Sequence, residues 1–183
     1  YLNGMFAFVF YDKVSGKWLA ARDHFGIKPV YYCELKNGIA FASEIKALLK
    51  HPEIRRKVNT QALYDYLTFQ FVLGDNTLFD GIKKIEPAYY LEGNIKTNQA
   101  MTIHNWWKME YAIDYEHSPS WFNEKLSFLI EDSIRLQTIS DYPIGTYLSG
   151  GLDSSLISSL TSKNLGRKIK SFHGKFNESI EYD

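Results

Sequence analysis

Tyr147-Leu148-Ser149-Gly150-Gly151-Leu152-Asp153-Ser154-Ser155 is the stretch that decides the reading of this chain. An apolar run at 144–148 leads into it, a helical pattern over 154–164 closed by Gly166 follows, and a second apolar run occupies 169–172. That order of strand, loop, helix and strand is the unit of a parallel α/β sheet. The loop stands where a helix begins, and there unpaired backbone N–H groups and a partial positive charge stabilise an anion without any lysine. Consecutive glycines let backbone approach that anion and supply φ angles that side chains forbid, while the serine hydroxyls add donors. Asp153 suits a phosphate site once a divalent cation such as Mg²⁺ stands between carboxylate and phosphate. A Walker loop requires a lysine after the glycines and a dinucleotide fingerprint requires G-x-G-x-x-G; neither spacing is present. Taken alone, residues 149–154 also fit a flexible turn with a good N-cap, and the strand and helix around them weigh against that.

Upstream the texture differs. Residues 4–107 form short strand-like runs rich in aromatics, which make up 16% of the chain. Strands are expected at 5–11, 18–21, 29–34 and 38–42, the last two joined as a hairpin whose Asn37-Gly38 tolerates positive φ. A helix capped by Ser43 is expected over 44–50, and another starts at Asn59 or Thr60 with Leu63, Tyr66 and Leu67 on one face. Strands return at 88–91 and 95–96 around Glu92-Gly93-Asn94. Residues 108–118 show no period and gather polar groups, marking a domain boundary. Ser118-Pro119 then opens a helix to about residue 139, with Phe122, Leu126, Leu129, Ile130, Ile134 and Ile139 along an apolar face.

Composition excludes several function classes. Of 183 residues, 45% are hydrophobic and 23% charged, the proportions of a globular protein. Lys plus Arg and Asp plus Glu number 21 each, so no net charge draws the chain to nucleic acid or an acidic membrane. Any anion must be held locally. The longest apolar run, 5–11, is far short of a bilayer span, so a cytoplasmic protein without membrane contact is expected. The lone cysteine, Cys33, sits in a strand-like run and reads as a small buried residue. Tyr1 and the structured-looking ends read as those of a piece of a longer protein.

The loop Ser149-Gly150-Gly151-Leu152-Asp153-Ser154 resembles the pyrophosphate loop of N-type ATP pyrophosphatases, and Ser140-Asp141-Tyr142-Pro143-Ile144-Gly145 resembles its lead-in in glutamine-dependent asparagine synthetases. Three stretches of the first half, 3–8, 22–29 and 41–48, resemble that family's glutaminase domain in family order. The fold implied is the C-terminal part of an α+β, antiparallel-sheet glutaminase domain at 1–107, a linker at 108–118, and the start of an α/β parallel-sheet ATP-pyrophosphatase domain at 119–183.

The activity implied is that of a ligase which frees ammonia from glutamine, adenylates aspartate with ATP, and releases AMP and pyrophosphate as asparagine forms. Ser149, Gly150, Gly151, Ser154 and Ser155 would hold the pyrophosphate part of ATP, and Asp153 would help place Mg²⁺. Leu148 and Gly174 would touch adenosine through their backbones. Partners would be small molecules (ATP, aspartate, and glutamine or ammonia), and a homo-oligomer is compatible with this reading. The family's glutaminase nucleophile, an N-terminal cysteine, has no counterpart among these residues, so the chain itself is expected not to hydrolyse glutamine. The acceptor pocket is expected outside the chain, which leaves open a related amidotransferase, a β-lactam-forming relative, or an inactive ATP-binding piece. Arg22-Asp23-His24 reads as a turn held by an Arg–Asp pair, Trp106-Trp107 as aromatics buried near the domain interface, and 55–57 as a solvated basic loop.

Overall fold

The computed structural model describes residues 2–97 and 99–174 and divides into two compact units, Tyr1–Tyr111 and Ala112–Asp183. The first carries two antiparallel sheets. In one, β1 (Ala7–Tyr11), β2 (Lys17–Arg22), β6 (Tyr89–Asn94) and β7 (Gln99–Asn105) lie in the order β1-β2-β6-β7. The other orders β4 (Gly38–Ala42), β3 (Tyr31–Leu35) and β5 (Lys83–Lys84). The pleat sends alternate side chains to opposite faces. Trp18, Ala20 and Leu91 from the larger sheet therefore meet Tyr32 from the smaller one, with Val30 and Ile85 completing the core between them. On the far face of the smaller sheet, Cys33 packs with Leu48, Ile54 and Ile82. Leu48 belongs to α1 (Ile45–Leu48), so a helical turn covers that side.

Local chemistry explains where several elements depart from the periodicity reading. β6 continues through Glu92-Gly93-Asn94, with a register shift against β7 between Glu92 and Asn94, and the turn lies at 95–97 instead. Gly93 is opposite Trp18, and a Cβ there would come within 2.8 Å of the indole, so the glycine serves close ring packing rather than a turn. Asn94 ends the strand: its Oδ1 accepts from the N–H groups of Lys96 and Thr97.

The β3–β4 hairpin forms as expected, yet neither Lys36, Asn37 nor Gly38 has positive φ. α1 is a single turn capped by Glu44 without a side-chain bond, so Ser43 is not its cap. α2 (Thr60–Phe69) begins as read, with Asn59 Oδ1 accepting from Ala62 N–H. Its expected core face is nevertheless turned to solvent: Leu67 is 70% exposed, and the buried residue is Ala62.

Arg22 and Asp23 do not pair with one another among the described residues. Arg22 donates to the carbonyls of Gly26, Lys28 and Ile85, while Asp23, 1% exposed, accepts backbone N–H groups from Phe6, Phe25, Ile27 and Lys28. Burial pushes this carboxyl up, but the four donors outweigh it and hold Asp23 below the usual carboxylate range. Trp106 and Trp107 are half-buried against His24, with Trp106 also stacked on Phe6, all within this unit.

The second unit holds α3 (Pro119–Gln137), β8 (Gly145–Tyr147), α4 (Leu152–Leu165) and β9 (Lys170–Phe172). Ser118 caps α3, its hydroxyl accepting from Trp121 N–H. Of the expected apolar face Ile134 is buried and Ile130 half-buried; Phe122, Leu126 and Leu129 are exposed, as is Ile139, which lies beyond the end of the helix. No helix of the described residues is long and apolar enough to cross a membrane.

Candidate functional site

β8 and β9 pair in parallel with Gly145 beside Lys170, Thr146 beside Ser171 and Tyr147 beside Phe172. The chain joins them through α4, which packs on β8; Ser158 Oγ donates to Thr146 Oγ1 at 3.0 Å across that contact. Residues 149–151 therefore lie at the carboxyl end of a strand and the amino end of a helix, the position at which open α/β sheets bind ligands.

Each candidate residue has a distinct local role. α4 starts at Leu152, two residues before the sequence pattern places it, and Gly151 is its N-cap with no side-chain bond. Of the two glycines only Gly150 has positive φ, at +83°; Gly151 is extended at φ −73°, ψ 162°. The conformational argument for glycine thus applies to Gly150 alone.

Serines knit the loop. Ser154 Oγ donates to the Gly151 carbonyl at 3.1 Å, accepts Ser149 N–H at 3.2 Å, and lies 2.9 Å from Ser149 Oγ. Ser155 N–H donates to the Gly151 carbonyl as the first helical bond. The N–H groups of Leu152, Asp153 and Ser154 precede that bond and have no acceptor among the described residues. Three convergent donors are left at the helix start. Asp153 stands exposed in the first turn, its carboxylate without a partner among the described residues.

Leu148 and Gly174 differ in what their backbones can still offer. Leu148 N–H donates to the Phe172 carbonyl, and its own carbonyl lies 2.9 Å from His173 Nδ1, so the N–H is engaged and the carbonyl keeps one lone pair. Gly174 is exposed, with nothing within 4 Å of where a Cβ would be. The sequence reading missed His173; its place between the last strand residue, Phe172, and Gly174 was the available signal.

Among the described residues no three His, Cys, Asp or Glu groups cluster to hold a metal. A lone carboxylate still fits Mg²⁺, which is commonly bound by one or two carboxylates plus substrate phosphates. Cys33 lies in β3 of the other unit, 8% exposed, and burial pushes its thiol up, away from the thiolate a nucleophile needs.

Comparison with known proteins matches residues 1–107 to the family described as "Glutamine amidotransferase domain" and residues 125–183 to "Asparagine synthase". Asparagine synthetase [glutamine-hydrolyzing] 3 of Bacillus subtilis strain 168 is 34% identical over 178 residues, covering 93% of this chain and 27% of the relative. Asparagine synthetase [glutamine-hydrolyzing] 1 of the same organism is 34% identical over 177 residues, covering 97% and 27%. Amidase chry2 of Gibberella zeae is 30% identical over 165 residues, covering 88% and 24%. The chain spans about a quarter of the length of these curated relatives. With its first 107 residues matched by one family model and a later segment by the other, the chain belongs to the glutamine amidotransferase domain family and continues into a segment similar to asparagine synthase.

Proposed function

We propose that this chain carries the nucleotide loop of an ATP-dependent asparagine synthetase, with the amidotransferase part at 1–107, a linker at 108–118 and the ATP-pyrophosphatase part at 119–183. The reaction proposed for the whole enzyme adenylates aspartate and amidates it with ammonia from glutamine, releasing AMP and pyrophosphate. The observation that carries this is the row of three unpaired N–H groups at the start of α4, beside a Gly150 held at positive φ. Fixed donors of this kind need no reorganisation as negative charge gathers on a departing pyrophosphate, which is where electrostatic preorganisation acts most strongly.

In this reading the loop backbone at Gly150 and Gly151, with Ser149, Ser154 and Ser155, surrounds the pyrophosphate. Ser149 and Ser154 already bond each other, and their hydroxyls turn between that contact and a phosphate oxygen without moving the backbone. Asp153, in the first turn, would help hold a Mg²⁺ ion, which when bound would neutralise phosphate charge. Gly174 meets adenosine through its N–H, and Leu148 through its carbonyl, whose second lone pair stays available beside the His173 bond. Cys33 takes no part in glutamine hydrolysis.

A second reading keeps the loop and changes the acceptor. It is favoured by one observation: a relative as similar as the Gibberella protein bears the name of an amidase. One assay separates the two. Exchange of labelled pyrophosphate into ATP by the enzyme containing this chain should require aspartate. Asp153→Asn should reduce that exchange at least tenfold while glutaminase turnover stays unchanged. Exchange that ignores aspartate and responds to another carboxylic acid would replace the first reading by the second. Wild-type exchange in Asp153→Asn would refute the role given to that carboxylate.

A further inference from the structure

The β8–β9 ladder ends in a way that regular pairing does not require. In a parallel pair, a residue's N–H and C=O bond to the two residues flanking its neighbour on the other strand. The register Tyr147 beside Phe172 continues to Leu148 beside His173, and Leu148 N–H donates to the Phe172 carbonyl at 2.9 Å. The next bond of the pattern would run from Gly174 N–H to the Leu148 carbonyl. That carbonyl instead lies 2.9 Å from His173 Nδ1, and Gly174 N–H has no acceptor among the described residues.

We propose that His173 is a positioning residue whose imidazole substitutes for the last main-chain bond of the ladder. Nδ1–H holds the Leu148 carbonyl and so fixes the carboxyl end of β8 immediately before the loop. The displaced Gly174 N–H is thereby left without an acceptor among the described residues, at the same end of the strands. It is fit to meet a ring-nitrogen acceptor of a purine. This last point rests on the ATP reading given above; the ladder substitution does not. A carbonyl oxygen only accepts, so Nδ1 carries the hydrogen of this bond. An asparagine amide has a donor at similar reach, whereas alanine has none.

Two measurements on the enzyme containing this chain test this. Amide hydrogen exchange at Gly174 is expected to be fast in the wild type, to slow at least several-fold in His173→Ala as Gly174 N–H takes the vacated Leu148 carbonyl, and to stay fast in His173→Asn. A Gly174 amide already slow in the wild type, or one that His173→Ala leaves unchanged, would overturn the substitution. The second measurement is calorimetric affinity for Mg-ATP and for inorganic tripolyphosphate, which lacks the base. His173→Ala should weaken Mg-ATP about 2- to 10-fold, the worth of one hydrogen bond, leave tripolyphosphate unchanged, and be rescued by His173→Asn. An equal loss for both ligands would overturn the role assigned to Gly174 N–H. A wild-type enzyme that binds neither ligand would refute the ATP reading, and the exchange experiment would still decide the role of His173.

Discussion

Replacing Gly150 and Gly151 one at a time by alanine separates what the two glycines do. Gly150 sits at φ +83° with nothing within 4 Å of a built Cβ, so alanine there meets no neighbour and its whole cost is conformational. Holding an L-residue in that region costs about 1–2 kcal/mol. If the loop must keep its present shape to bind, the competent population falls by the same factor, and Mg-ATP affinity drops roughly 5- to 30-fold. Gly151 is at φ −73°, ψ 162°, open to any residue, and its Cβ would lie 3.5 Å from Ser149 Oγ, an ordinary contact. Alanine is a poorer N-cap than glycine by about 0.5–1 kcal/mol, while the stiffer unfolded chain returns about 0.4–1 kcal/mol. The net effect of Gly151→Ala on stability should be near zero, and its affinity within about threefold of wild type. Calorimetric titration of each variant, after circular dichroism has shown it folded, gives the ranking. A folded Gly151→Ala that binds much more weakly than Gly150→Ala would refute the conformational argument and leave close approach at Gly151 as the stronger constraint.

Asp23 should govern the acid limb of the first unit. Its carboxyl is lowered on folding, so its contribution is present above the unfolded value of about 3.9 and is lost as pH falls through the folded one. Asp23→Asn should therefore cost about 2–4 kcal/mol at neutral pH and flatten the acid limb of urea stability, since an amide accepts fewer of the four N–H donors. An unchanged acid limb would contradict this. Gly93→Ala should destabilise the same unit by about 1–3 kcal/mol in urea melts, because the added methyl must displace the Trp18 ring; equal stability would show that the ring moves freely. Cys33, buried and with a raised thiol, should react with Ellman's reagent only as fast as the unit opens, and Cys33→Ala should alter no glutamine turnover. Rapid labelling of the folded protein would overturn that picture.

Much of this was legible one residue at a time. Asn59 and Ser118 cap their helices as read, because a cap is a bond between neighbours in the chain and needs nothing from the rest of the fold. The strand, loop, helix and strand around Ser149–Ser154 likewise followed from short-range pattern, and β8 and β9 do pair in parallel. Where the sequence misled, a partner distant in the chain made the difference. Gly93 looked like a turn residue until Trp18, opposite it on β2, accounted for the missing side chain. Arg22 and Asp23 looked like a pair, yet their charges are answered by backbone groups from Phe6 to Ile85.

At the candidate site the division is the same. The residue types are what the proposed anion loop was read from, because glycines, hydroxyls and a helix start are all local. Which glycine is bent is settled by the folded loop, whereas the bond of Leu148 N–H to Phe172 and the place of His173 at the Leu148 carbonyl depend on β9 lying beside β8. Local pattern sets which groups the chain can offer. Pairing between strands decides which of those groups are already satisfied, and so which remain for a ligand.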